Sequence, residues 1–170
     1  LLAAAAAAPD HQQLQPWRFL VLGPRARASL AEAFAEALLE RDPAATPAQL
    51  DDARAKAARG ATLLLAVADL RGDAPEVAPF ERLVSLGCAV QNLLLAAQAR
   101  GFGSGLTSGR ALQSQALRRR FDLQDGEHAV CFIALGQVSR AKPPRLRPAV
   151  AAISRSEEHT SELQSRLHLV

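Results

Sequence analysis

The stretch Ala8-Pro9-Asp10-His11-Gln12-Gln13-Leu14-Gln15-Pro16-Trp17-Arg18-Phe19 decides how this chain is read. An alanine-rich helical segment stops at a proline, and a polar loop then delivers the only tryptophan into an apolar strand over 19–22. Asp10, His11, Gln12, Gln13 and Gln15 gather donors and acceptors between two rigid elements, an arrangement suited to holding a flat polar ligand.

The two ends of the chain read differently from its middle. Residues 1–8 have the composition of the last turns of a helix, with no Ser, Thr, Asp or Asn cap before them, so the helix is expected to start upstream of Leu1. They lack the charged leader and cleavage site of a signal peptide. Residues 155–165, Arg-Ser-Glu-Glu-His-Thr-Ser-Glu-Leu-Gln-Ser, match residue for residue the translation of the adapter used in short-read DNA sequencing. The other reading is a polar C-terminal helix with Glu158 and Glu162 on one face. The expected organisation is one domain over 1–154 and a non-native tail over 155–170, which removes His159 and His168 from any search for ligands.

Hydrophobic residues make up 49% of the 170 residues and aromatic ones only 4%, so a one-domain core must be built mainly from Ala, Leu and Val. The strongest apolar run, 93–97, is flanked by Gln91, Asn92, Gln98 and Arg100 and is too short to span a bilayer, so no membrane partner is expected. The net charge of +3 is modest and the arginines are scattered, apart from clusters at 118–120 and 142–147. That pattern does not make a nucleic-acid-binding face. Cys88 and Cys131 each sit alone in an apolar segment, as buried thiols do. They suggest no metal site and no disulfide framework, and a cytoplasmic location by default.

Along the chain, a helix is expected over 25–41 and another from Thr46-Pro47 to about Arg59. A strand over 62–68 is apolar without alternation, hence buried on both faces, and a surface loop follows over 69–78. The longest helix, 80–100, is apolar nearly all round and closes at Gly101, which predicts a core helix. A glycine-rich segment over 101–109 holds a short strand, followed by a helix over 112–121, a strand over 129–135 and a basic, proline-rich extension. Strands separated by helices around one buried helix argue a layered α/β or α+β domain.

These residues resemble the nitroreductase superfamily of flavin enzymes. The matching motifs are Ala-Pro-Asp-His-x-x-x-Gln-Pro-Trp-x-Phe at 8–19, Gly-Cys-Ala-Val-Gln-Asn at 87–92, Ala-Arg-Gly-Phe-Gly at 99–103, Thr-Ser-Gly at 107–109 and Phe-Ile-Ala-Leu-Gly at 132–136. The resemblance implies an α+β fold of three layers, α/β/α, with a mixed, largely antiparallel sheet around a central buried helix. It also implies FMN bound at a homodimer interface and hydride passed from NADH or NADPH to nitroaromatic, quinone or similar acceptors.

Carried over by position, Asp10, His11 and Gln15 would contact the flavin, and Leu106, Thr107, Ser108 and Gly109 would line it from the other side. Lys142 and Arg145 would meet the FMN phosphate, for which a guanidinium fork is well shaped. The chain departs from the family at Leu106 and Thr107, where relatives often carry Trp-Arg, and it lacks the Arg-Ser segment that grips the phosphate. No residue is assigned as catalytic in its own right, because the cofactor carries the hydride.

Plainer readings stand beside these. His11 also reads as a loop histidine satisfying a helix C-terminus, and Trp17 as a core anchor. Gln91 and Asn92 read as capping groups or as buried amides beside a flavin. His128 reads as a surface residue, 118–120 as a solvated helix face and 142–147 as a flexible basic tail. Two other functions fit the resemblance: a flavin-binding or storage protein without turnover, and a relative that fragments flavin or dehalogenates. The short 69–78 loop leaves little room for the lid that the latter needs.

Overall fold

A computed structural model describes residues 1–72, 74–140, 143 and 145–155. In chain order its elements are α1 (Leu2–Ala6), β1 (Trp17–Val21), α2 (Pro24–Leu39), α3 (Pro47–Ala55), β2 (Thr62–Asp69), α4 (Pro79–Ala99), β3 (Phe102–Thr107), α5 (Gln115–Arg120) and β4 (Glu127–Gln137). The chain divides into two compact units, Leu1–Val138, which holds all of these, and Ser139–Val170. The described residues of the second unit are exposed and include one 3-10 turn, Val150–Ala152.

Local chemistry places most boundaries. Prolines occupy the first turns of α2, α3 and α4, where a missing N–H costs nothing. Thr46 caps α3 in a reciprocal box: its backbone N–H donates to Gln49 Oε1 at 2.8 Å and its Oγ1 accepts from Gln49 N. Gly101 takes the left-handed conformation (φ 76°) that ends α4, as its position predicted. The helix expected over 112–121 is divided. Ser114 is extended (φ −72°, ψ 148°), caps α5 by accepting from Leu117 N at 3.2 Å, and leaves Arg110–Gln113 as a separate 3-10 turn.

The sheet order is β1-β2-β4-β3, with every pairing antiparallel. The α+β layered class therefore holds, and the four described strands include no parallel pair. β2 is buried from Leu63 to Ala68. Its even-numbered residues Leu64, Ala66 and Ala68 join Leu86, Ala89 and Leu93 of α4 and Ala5 of α1 on one face. Its odd-numbered residues Leu63, Leu65 and Val67 join Leu30 and Ala33 of α2 and Ala116 and Leu117 of α5 on the other. The three layers follow from that alternation.

Three polar ties hold the layers in place. The Arg27 guanidinium donates to the carbonyls of Leu22, Ala57, Arg59 and Ala61 at 3.2–3.4 Å, fastening α2 to the chain between α3 and β2. Asn92 Nδ2 donates to Ala4 O at 3.2 Å, joining α4 to α1. Asn92 thus acts neither as a cap nor as a fully buried amide. Arg118, expected on a solvated face, donates to the carbonyls of Leu123, Gln124 and Glu127 and closes the turn into β4. Arg119 and Arg120 pair with Glu36 of α2.

α4 corrects one expectation. Its apolar circumference is not fully buried: Phe80, Val84 and Leu95 are 81%, 67% and 53% exposed, forming a stripe along the side turned away from the sheet. Hydropathy reports how apolar a residue is, whereas the neighbours available to cover it depend on the rest of the assembly. At 21 residues α4 is also long and apolar enough to cross a membrane by length and composition, contrary to the reading of 93–97 alone. Its inner face packs instead on the sheet, and core helices meet the same criterion.

Arg18 on β1 reaches across β2 to Glu127 at the start of β4, with Nε–Oε1 and Nη2–Oε2 distances of 2.6 and 2.8 Å. The guanidinium, aided by the Gln124 N–H, holds the Glu127 carboxyl below the usual carboxylate range despite partial burial. A depressed folded-state pKa contributes stability above the unfolded value of about 4.3, and that contribution is lost as pH falls through the folded value. Arg18 is 41% exposed, so solvent screens part of the effect. Glu127→Gln is expected to lower stability by about 1–2 kcal/mol at pH 7 in urea unfolding, with the difference shrinking as the pH drops below about 4. A pH-independent difference would show that the ion pair is not its source.

Candidate functional site

The loop after α1 is held in a strained form. Gln12, Gln13 and Gln15 adopt positive φ of 57°, 57° and 44°, a region that L-residues with side chains enter at a cost. Such a conformation persists only when its surroundings impose it. Two contacts do so here. The Asp10 carboxylate accepts the Gln15 N–H, closing the loop on itself. His11 Nδ1 lies 2.6 Å from Glu81 Oε2, tying the loop to the first turn of α4. His11 therefore engages a carboxylate at the start of α4 and not the C-terminus of α1. Trp17 is half-buried against the core on the α4 side, in keeping with an anchoring role.

Leu106, Thr107 and Ser108, at the end of the edge strand β3, border a cavity of about 320 Å³ with Leu83, Gly87 and Cys131. A bulge in β4 shapes its floor. Ala66 pairs with Cys131, but Val67 pairs with Ala129, so Val130 is an extra residue and both Val130 and Cys131 turn towards α4. Burial pushes the Cys131 thiol above the usual range, which keeps it protonated. Leu106 is 50% exposed, and a Cβ added at Gly105 or Gly109 would meet nothing within 4 Å. The segment is therefore an open shelf on which a flat ring system can lie against apolar side chains with backbone groups at its edge. These features fit an isoalloxazine.

His11 and Leu106–Ser108 are thus brought to α4, but on different flanks, whereas Gly109, expected beside them, borders the cavity on the opposite face of the sheet with Arg110. With about 100° per residue, Glu81, which holds His11, lies on the opposite side of the helix from Leu83, Gly87 and Val90, which face β3. The exposed stripe of Phe80, Val84, Gln91 and Leu95 runs between them. The two sets line separate cavities among the described residues: Gln15 borders one of about 290 Å³ with Asp69, Arg82 and the Arg18–Glu127 pair. Of the residues named for the phosphate, Lys142 lies outside the described residues and Arg145 is exposed in the second unit. Of the expected tail, residues 156–170 are likewise outside the described residues.

Sequence reasoning missed Glu81 and Arg82. Arg82 is 1% exposed and donates from Nε and Nη2 to the carbonyls of Val77 and Ala74 at 3.1 and 2.6 Å, fastening the loop before α4. Its Nη1 has no acceptor among the described residues. The adjacent Glu81 and Arg82, the only charged residues of α4, were the available signal. Because Gln13 is left-handed, Gln13→Gly and Gln13→Val are expected to differ in stability by about 1–2 kcal/mol in favour of glycine. Paired urea titrations measure this, and equal midpoints would refute the strained loop.

With the geometry in view, comparison with known proteins is direct. The family model described as "Nitroreductase family" matches residues 1–137. The Escherichia coli (strain K12) protein named "Putative NAD(P)H nitroreductase YdjA" is 34% identical over 140 residues, covering 80% of this chain and 73% of its own. Among solved structures, a nitroreductase-like family protein from Bacillus cereus superposes with a TM-score of 0.75 at 20% identity, over 92% of this chain and 81% of the other. A mutant form of NfnB, an FMN- and NADPH-dependent nitroreductase from Sphigopyxis sp. strain HMH, gives 0.69 at 16% identity, over 92% and 86%. The match over 1–137 spans every strand and helix of the first unit, and this chain belongs to the nitroreductase family.

Proposed function

We propose that this chain is an FMN-dependent oxidoreductase that passes hydride from NADH or NADPH to nitroaromatic, quinone or similar small acceptors, and that it works as a homodimer. One observation carries the dimeric form of the site. The loop with His11 and the shelf of Leu106–Ser108 flank α4 on either side of an exposed apolar stripe. A second copy seated on that stripe buries it and brings the missing wall to each shelf. The NAD(P)H nitroreductase name of YdjA and the FMN and NADPH dependence of NfnB support the cofactor and donor.

Bound FMN would supply the two-electron chemistry, taking hydride from the nicotinamide and giving it to the acceptor. The protein's part is placement. Leu106 offers an apolar surface to one ring face, while Thr107 and Ser108 offer hydroxyl and backbone groups to the ring edge. Asp10 acts through Gln15, whose N–H it holds, and Glu81 acts through His11, whose ring it orients. Both are positioning residues on this reading. Lys142 and Arg145 are assigned to the phosphate on sequence grounds alone.

Two measurements test the reading. The full chain reconstituted with FMN is expected to be yellow and to bleach under NADH or NADPH without oxygen, then recover its colour on adding a quinone. Failure to retain flavin rejects the proposal, whereas retained flavin that neither donor reduces selects the storage reading. Val84→Glu with Leu95→Glu places charge on two exposed positions of the stripe. Light scattering is expected to report a monomer, with flavin affinity reduced at least tenfold; a flavin-binding monomer would exclude the shared site.

A further inference from the structure

The face of the sheet opposite α4 carries a third cavity, of about 360 Å³, between α2, α3 and the sheet. Its floor is apolar. Phe34 and Leu38 of α2 meet Leu63 of β2 and Phe132 of β4 there, and the two phenylalanine rings pack edge to face with centroids 5.7 Å apart. Its rim is cationic. Arg41 follows α2, Lys56 and Arg59 follow α3, and Arg110 follows β3, while no aspartate or glutamate among the described residues lines the cavity.

The four cations have another feature in common. None forms an ion pair among the described residues, whereas Arg18, Arg54, Arg119 and Arg120 each meet a carboxylate. Only Arg41 among the four has a side-chain hydrogen bond among the described residues, from Nε to Ala37 O at 3.1 Å. Unneutralised charges gathered around an apolar floor concentrate a positive field at the cavity mouth. Guanidinium groups match a planar oxyanion in geometry, and the volume lies in the range of small-molecule sites.

We propose that this cavity binds an organic anion, with an aromatic or alkyl body on the Phe34–Phe132 floor and a carboxylate or sulfonate head among Arg41, Lys56, Arg59 and Arg110. The site is distinct from the flavin reading and does not rest on it. Thr107 and Ser108 nevertheless border both this cavity and the one beside Leu106, so an occupant here touches the strand end that forms the flavin shelf.

The test uses the flavin-free full chain, so its outcome is independent of whether FMN binds. The chain is titrated with 8-anilinonaphthalene-1-sulfonate, followed by displacement with decanoate and with decanol. Saturable one-site binding is expected, with decanoate displacing the dye at least tenfold better than decanol. Lys56→Glu with Arg59→Glu, both at exposed positions, is expected to weaken dye and decanoate at least tenfold while leaving near-ultraviolet dichroism unchanged. Arg110→Glu, in a different element, should act in the same direction if the double variant does not fold. Equal displacement by decanol and decanoate, undiminished affinity in the charge-reversed variants, or no saturable binding would each overturn the proposal.

Discussion

The burial of β2 on both faces is the constraint on which the other elements depend. Six consecutive apolar residues, Leu63 to Ala68, occupy an inner strand whose side chains alternate between two cores. A strand in that position needs a helical layer above and below, because leaving either row exposed forfeits the burial of three side chains. The alternation also sets what each layer can be. Ala66 and Ala68 are small and face α4 in a core that also holds Ala89 and Ala97, whereas Leu63, Leu65 and Val67 face α2 and α5 across a more leucine-rich core.

The second inner strand, β4, turns this scaffold towards function. Its extra residue at Val130 places two neighbouring side chains on the same face, immediately beyond the end of β3. Both line the cavity next to Leu106. On the other side of the sheet, Thr107 and Ser108 border the cavity with the cationic rim, so one short edge segment separates two spaces, of which only one carries charge.

How much of this was legible depended on range. The helix start at Thr46-Pro47, the helix stop at Gly101 and the unbroken apolar run of β2 are local signals, and each appears where expected. The divided helix around Ser114 was hidden because serine serves equally as a cap and as a helical residue; neighbours decide between them. His11 was singled out, but its partner Glu81 lies seventy positions away, and no spacing rule connects them. The Arg18–Glu127 pair spans 109 positions and the carbonyl clasp of Arg27 up to 34, each joining elements that only the packed fold brings together.

By itself, the sequence determined the class of the fold, the order of its elements and the family motifs at 8–19, 87–92 and 107–109, because periodicity, capping and turn chemistry act over a few residues. Only the tertiary structure decided that the first and last of those motifs border different flanks of the helix that carries the second, and that this helix keeps an apolar stripe uncovered. It likewise decided that four cations from three parts of the chain surround one apolar cavity. The physical reason is the same in each case. Hydrophobic pattern specifies which side chains leave water, but the partner each one meets is fixed by sheet register, a single bulge and helix rotation, none of which a local pattern encodes.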